Sequence, residues 1–222
     1  MDTYPSLVDV DSSGAIQETA ERAGVNRAEL LKRGALGGGA ILGAASLLGA
    51  IPGAAFASSK GSTRASSDVD ILNFALTLEY LEAAFYAEAL SKGALKGPTL
   101  AFAKVVAKDE AQHVAFLKTA LGMKAVKKPT FDFKGTTAAM KSFQSTAIVL
   151  EDTGVSAYAG AAPMISNKKT LSAALSVHSV EARHAAWIRN IVGMNPAPVP
   201  FDGAHTKAQV LKAVTGTGFI TG

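Results

Sequence analysis

At 222 residues the chain is sized for one domain, at most two small ones, and with 48% apolar residues it can bury a sizeable core. The net charge is only +4 and its lysines are scattered, with no stripe of arginine and interleaved aromatics, so nucleic acid is not an expected partner. The absence of cysteine excludes disulfides, thiolate metal sites and cysteine nucleophiles; any transition metal must be held by carboxylate, imidazole or water, which suits iron, manganese or zinc.

Residues 1–57 read as an N-terminal leader. A polar extension is followed by Arg27, Lys32 and Arg33, then by an uncharged stretch from Gly34 to Ala57 rich in Ala, Gly, Leu and Ile, closing on Ala55-Phe56-Ala57. That is the order of a basic region, an apolar region and a small-residue cleavage site in an export signal. The run Asn26 to Lys32 resembles a twin-arginine motif with Ala28 in place of the second arginine. The expected location is outside the cytoplasm, periplasmic or extracellular. The alternative is a membrane anchor through residues 34–57, so membrane is a partner only if the leader is retained.

A polar linker, 58–67, leads to the first of four long helices. Apolar residues recur at helical spacing from Val69 to Leu90, with Ser67 or Asp68 as the N-cap. Gly93 and Gly97-Pro98 break that helix, and a second is expected from Thr99 to Leu121, with Gly122 after it. Met123 to Gly135 then forms a longer connection, in which Phe131 and Phe133 suit an extended crossover better than a strand. The third helix is expected from Thr136 to Ile165, its end blurred by Gly154, Gly160 and Pro163. The fourth runs from Leu171 to Val192. Short, long and short connections define an all-α, up-down-down-up four-helix bundle over residues 68–192. A tail, 193–222, carries a short helix from Lys207 to Val214 with a Thr206–Gln209 capping box, and Phe201, Val210 and Leu211 are expected to pin it to the bundle.

Six residues carry the chemistry. Glu110 and His113, and again Glu181 and His184, form Glu-x-x-His pairs; three residues turn a helix by about 300°, so each pair shares a face. Glu79 lies 31 residues before Glu110 and Glu151 lies 30 before Glu181, so each unit is nearly the same helical hairpin. Packing the hairpins together brings one glutamate or one Glu-x-x-His pair from each helix to a common level. Four carboxylates largely neutralise two divalent ions, and two imidazoles complete their shells. A single Glu-x-x-His is more often a solvated glutamate beside a core histidine, and the full set is what favours a metal site.

Tyr86 and Tyr158 each follow a ligand glutamate by seven residues, which places them two turns away on the same face, near the metals or in electron transfer. Glu82 is the rival to Glu79 on the first helix, and His178, three before Glu181, is a further or outer member. Asp109 and Asp152 adjoin ligands but point about 100° away; Arg183 is a candidate partner for either. His205 is expected to be solvated.

In these residues the chain resembles the ferritin-like superfamily, which includes rubrerythrin, bacterioferritin and related diiron carboxylate proteins. More narrowly, Leu78 to Tyr86, Gly160 to Pro163, Glu181 to Trp187 and the closing Pro200-Phe201-Asp202 are similar to exported ferritin-like proteins grouped with plant desiccation-related proteins. The resemblance implies two metal ions, iron foremost with manganese or zinc as alternatives. It also implies oxidation of ferrous iron, or reaction with oxygen or peroxide, as stress protection. No rubredoxin-like cysteines are present and the tail helix is short, so neither a built-in electron relay nor a storage cage is expected. A homodimer is the candidate assembly. The competing expectation is a non-catalytic stress-protective bundle whose metals brace the core or are absent.

Overall fold

The computed structural model describes residues 67–222; the export signal, the anchor alternative and nearly all of the linker lie outside them. Helix α1 spans Asp68–Lys92, α2 Gly97–Leu121, α3 Met140–Ala161, α4 Lys168–Ile191 and α5 Lys207–Thr217, with 3₁₀ turns at Gly122–Lys124 and Ala162–Met164. The fold is an all-α four-helix bundle with one long crossover and a short extra helix. Packing is densest within the hairpins α1–α2 and α3–α4, and α1 meets α3 while α2 meets α4.

The ends of the helices are set by local chemistry. Ser67 caps α1 in a capping box with Asp70. Asp68 instead accepts from the backbone N–H groups of Ser166 and Asn167 at 2.8 and 2.9 Å, tying the start of α1 to the turn between α3 and α4. The left-handed conformation at Gly93, φ 68°, closes α1 at little steric cost. Asn167 caps α4, and α5 has the Thr206–Gln209 capping box the sequence predicts.

Helix α3 differs from expectation at both ends, giving way after Ala161 to the 3₁₀ turn Ala162–Met164 instead of running to Ile165. It starts at Met140 rather than Thr136, because Lys134 and Gly135 both take positive φ and residues 134–139 fold into turns. There Thr137 is fully buried and donates to Glu88 Oε1 at 2.5 Å. The crossover is extended, as expected, but also pairs with the chain end. Phe131 bridges antiparallel to Ile220, and the Asp132 N–H donates to the Phe219 carbonyl at 2.8 Å.

The tail is held differently from the sequence reading. Val210 is buried, but Phe201 is 73% and Leu211 36% exposed; Val214 and Phe219 complete the anchor. His205 is exposed, and its N–H donates to the Ser156 carbonyl at 3.0 Å.

The apolar interior comes in two parts. One gathers Phe85, Phe102, Phe143, Phe133 and the tail residues; the other gathers Ile71, Leu76, Leu117, Ile165 and Val177. Tyr86 belongs to the first and Tyr158 to the second. Between them lie the glutamates. Among the described residues, no helix is long and apolar enough to cross a membrane.

Candidate metal centre

Each helix of the bundle delivers buried carboxylates to one level. Glu79, Glu110, Glu151 and Glu181 are all 0% exposed, and His113 and His184 are buried beside them. A buried ionised carboxylate without a partner is costly, so four of them in one core demand compensation.

The donor atoms fall into two groups. Glu79, Glu110, His113 and Glu181 place one ligand atom each within 4.8 Å of one another, and so do Glu110, Glu151, Glu181 and His184. Glu110 and Glu181 belong to both. His113 Nδ1 lies 3.2 Å from Glu79 Oε2, 3.2 Å from Glu110 Oε2 and 3.3 Å from Glu181 Oε1. His184 Nδ1 lies 3.2 Å from both Glu110 Oε1 and Glu151 Oε2. Two donors held about 2.1 Å from a common ion and about 100° apart are separated by about 3.2 Å, so these spacings, which also suit hydrogen bonds from His113, are consistent with a coordination shell. Glu110 Oε1, Glu151 Oε2, both oxygens of Glu181 and His184 Nδ1 are buried without a hydrogen-bond partner. Those orphaned atoms fit a cation.

The protonation balance expresses the same demand. Burial disfavours charge on His113, but Glu110, Glu181 and Glu79 outweigh it and hold the imidazole at about 12. His184 is likewise carried past its burial by Glu110 and Glu151 to about 11. Burial, and then the neighbouring Glu110 charge, raises Glu79 to about 8. Glu151 and Glu181 also move up, chiefly through burial. Glu110 is the exception: burial opposes its charge, but the imidazoles of His113 and His184 beside it outweigh that and lower it to about 2. Without metal, protons shared between imidazoles and carboxylates do the neutralising.

The tyrosines reach the site in a way the seven-residue spacing does not reveal. Tyr158 on α3 donates to Glu79 Oε1 on α1 at 2.5 Å, and Tyr86 on α1 donates to Glu151 Oε1 on α3. Each phenol thus serves the glutamate of the facing helix. Burial, and then the accepting glutamate, raises both phenols well above their ordinary value. Held this way, Glu79 and Glu151 each turn one oxygen to a tyrosine and the other to a histidine.

An outer layer orients the imidazole of His184. Its Nε2 lies 3.2 Å from Asp109 Oδ2, leaving Nδ1 to face Glu110 and Glu151. Asp152 is paired by Arg189, at 2.6 and 2.5 Å, and not by Arg183. Glu82 is buried at 3% exposure with Oε1 unpartnered, outside both four-residue groups; burial and then the Glu181 charge push its carboxyl well up. His178 also lies outside both groups, with a buried and unpartnered Nε2.

One contributor escaped the sequence reading. A Cβ built on Gly154 would lie 2.7 Å from Glu181 Oε2 and 3.5 Å from Glu82 Oε1. The missing side chain makes the space in which those two carboxylates sit. The only signal was a glycine inside a helical pattern, three residues after a ligand.

Fold and site together define a carboxylate four-helix bundle with diiron-type ligand geometry. The family model of the ferritin-like domain matches residues 67–194, and the chain belongs to that family. A search of curated proteins gives no match.

Proposed function

We propose that the protein is an exported dinuclear-metal protein that oxidises ferrous iron with oxygen or peroxide and so limits oxidative damage. The observation that carries it is the pair of four-residue groups sharing Glu110 and Glu181, with their orphaned donor atoms turned inward. Glu79, Glu110, His113 and Glu181 would hold one ion and Glu110, Glu151, Glu181 and His184 the other. Iron, or manganese, would supply a redox-active pair that exchanges electrons with oxygen or peroxide.

The chain's own residues set the terms of that chemistry. Tyr158 and Tyr86 fix the outer carboxylates, Asp109 fixes the His184 ring, and Gly154 leaves Glu181 free to sit between both positions. Beyond Tyr86, the site is walled by Phe102 and Phe143, whose ring centroids lie 5.9 and 5.7 Å from the phenol ring. Export rests on the leader's basic, apolar and small-residue order, and kinship with desiccation-related proteins rests on the motifs around Glu79, Gly160 and Glu181.

Loading ferrous iron anaerobically and mixing with oxygen or peroxide tests the reading. Ferric absorbance is expected to grow faster than in the Glu110→Ala variant at equal iron. Equal rates in the two proteins would leave the site without a catalytic role.

A further inference from the structure

The two halves of the centre are related by their ligands but not by their surroundings. Tyr86 is enclosed by Phe85, Phe102 and Phe143 and is 0% exposed. Tyr158, its counterpart, lines a cavity of about 260 Å³ between α2 and α4, open to solvent. Leu72, Phe116, Leu117, Ala174 and Val177 make most of the wall. Lys169 and Thr170, in the first turn of α4, are its polar members.

An apolar wall gives water few partners, and a small pocket of this kind gains from burying hydrocarbon. The volume falls just below the range of about 300–1,000 Å³ typical of drug-sized ligands, so the occupant is small. Lys169 is exposed, and among the described residues no ion pair engages it. Its ammonium and the N-terminal end of α4 place positive charge beside an otherwise apolar opening.

We propose that this cavity binds a small organic acid, its apolar tail against Leu117, Val177 and the Tyr158 ring and its carboxylate at Lys169. A molecule seated there is separated from Glu79 by the Tyr158 side chain, whose hydroxyl donates to Glu79 Oε1 at 2.5 Å. Occupancy is therefore felt at the Glu79–His113 half of the centre and not at the enclosed Glu151–His184 half. Binding itself does not depend on the metal reading; only the coupling to Glu79 does.

Octanoate and the neutral 1-octanol are suitable probes, titrated by calorimetry into the full chain without metal. Octanoate is expected to bind, and to bind at least tenfold more weakly to Ala173→Phe, which fills the cavity from a half-buried position on α4. Ala120→Phe fills it from the exposed side of α2, and so serves if the first variant misfolds. Lys169→Gln is expected to weaken octanoate about two- to fivefold, the range of an exposed charge pair, and to leave octanol unchanged. With cobalt in the centre, octanoate should shift the visible spectrum of the unmodified protein but not of Ala173→Phe. Absence of octanoate binding, or binding indifferent to both filling variants, would overturn the cavity assignment. Equal loss of octanoate and octanol in Lys169→Gln would overturn the anionic end. Because the calorimetry uses metal-free protein, its failure would leave the metal count untouched.

Discussion

Replacing Gly154 by alanine separates the metal centre from the stability of the bundle. The added Cβ would sit 2.7 Å from Glu181 Oε2. Ordinary contact begins near 3.4 Å, so the carboxylate must withdraw by about 0.7 Å, beyond the tolerance of about 0.2 Å in a coordination shell. Glu181 belongs to both ligand groups, so neither position escapes the shift. The expected loss is about 10–100-fold in metal affinity, or about 1.4–2.8 kcal/mol, comparable to disturbing an outer-layer partner. Helix propensity acts in the opposite direction, since alanine in a helix interior is favoured over glycine by about 1 kcal/mol. In the metal-free protein the Glu181 tip can turn aside, so the melting temperature should hold or rise by about 2–4 °C. Chelator competition with ferrous or cobalt ions, beside thermal melts of the metal-free form, reads both effects. Unchanged affinity in a folded Gly154→Ala protein would refute the argument that this glycine makes room for a ligand.

The remaining predictions use other parts of the same frame. Gly160→Ala should do the reverse of Gly154→Ala, because its Cβ would meet the His205 carbonyl oxygen at 1.9 Å. Backbone cannot swing away as a side-chain tip does, so the tail is displaced, the His205–Ser156 bond is lost and stability falls by about 1–3 kcal/mol while metal affinity holds; a thermal melt and a metal titration check it. Asp109→Ala should weaken metal binding about 10–100-fold by releasing the His184 ring, and equal affinity in a titration would show that Asp109 does not orient it. Glu79 is raised from 4.5 to about 8 in the metal-free protein, so the stability it contributes is fully present below pH 4.5 and is lost as pH rises through about 8. Melts of the metal-free protein and of Glu79→Gln between pH 5 and 9 should therefore converge or cross as pH rises; a wild-type advantage growing with pH would contradict that sign.

The sequence revealed the site's composition better than its register. Glu79 and Glu151 precede their Glu-x-x-His pairs by 31 and 30 residues, and that near-identity alone argues for two matched hairpins. It says nothing of how α1 lies against α3. The pairing of Tyr86 with Glu151 and of Tyr158 with Glu79 therefore became visible only in three dimensions, because an antiparallel crossing reverses a seven-residue offset. The partner of Asp152 depended likewise on the register of α3 against α4, which selects Arg189 over Arg183. Periodicity located α1, α2 and α4 to within a few residues. It overran the start of α3 because the turn at Lys134 and Gly135 is fixed by tertiary contacts, including the burial of Thr137. In the tail, apolar character drew attention to Phe201, but the α5 face that meets the bundle is built on Val210 and Val214, four residues apart.

Counting bound metal tests the account most directly. The full chain, loaded anaerobically with ferrous or manganous ions and freed of loose metal, should hold about two ions per chain. Glu110→Ala and Glu181→Ala should each lose both while remaining helical by circular dichroism, since each removes a carboxylate common to the two ligand groups. One ion or fewer in the unmodified protein, or a full complement in either variant, would contradict a dinuclear centre.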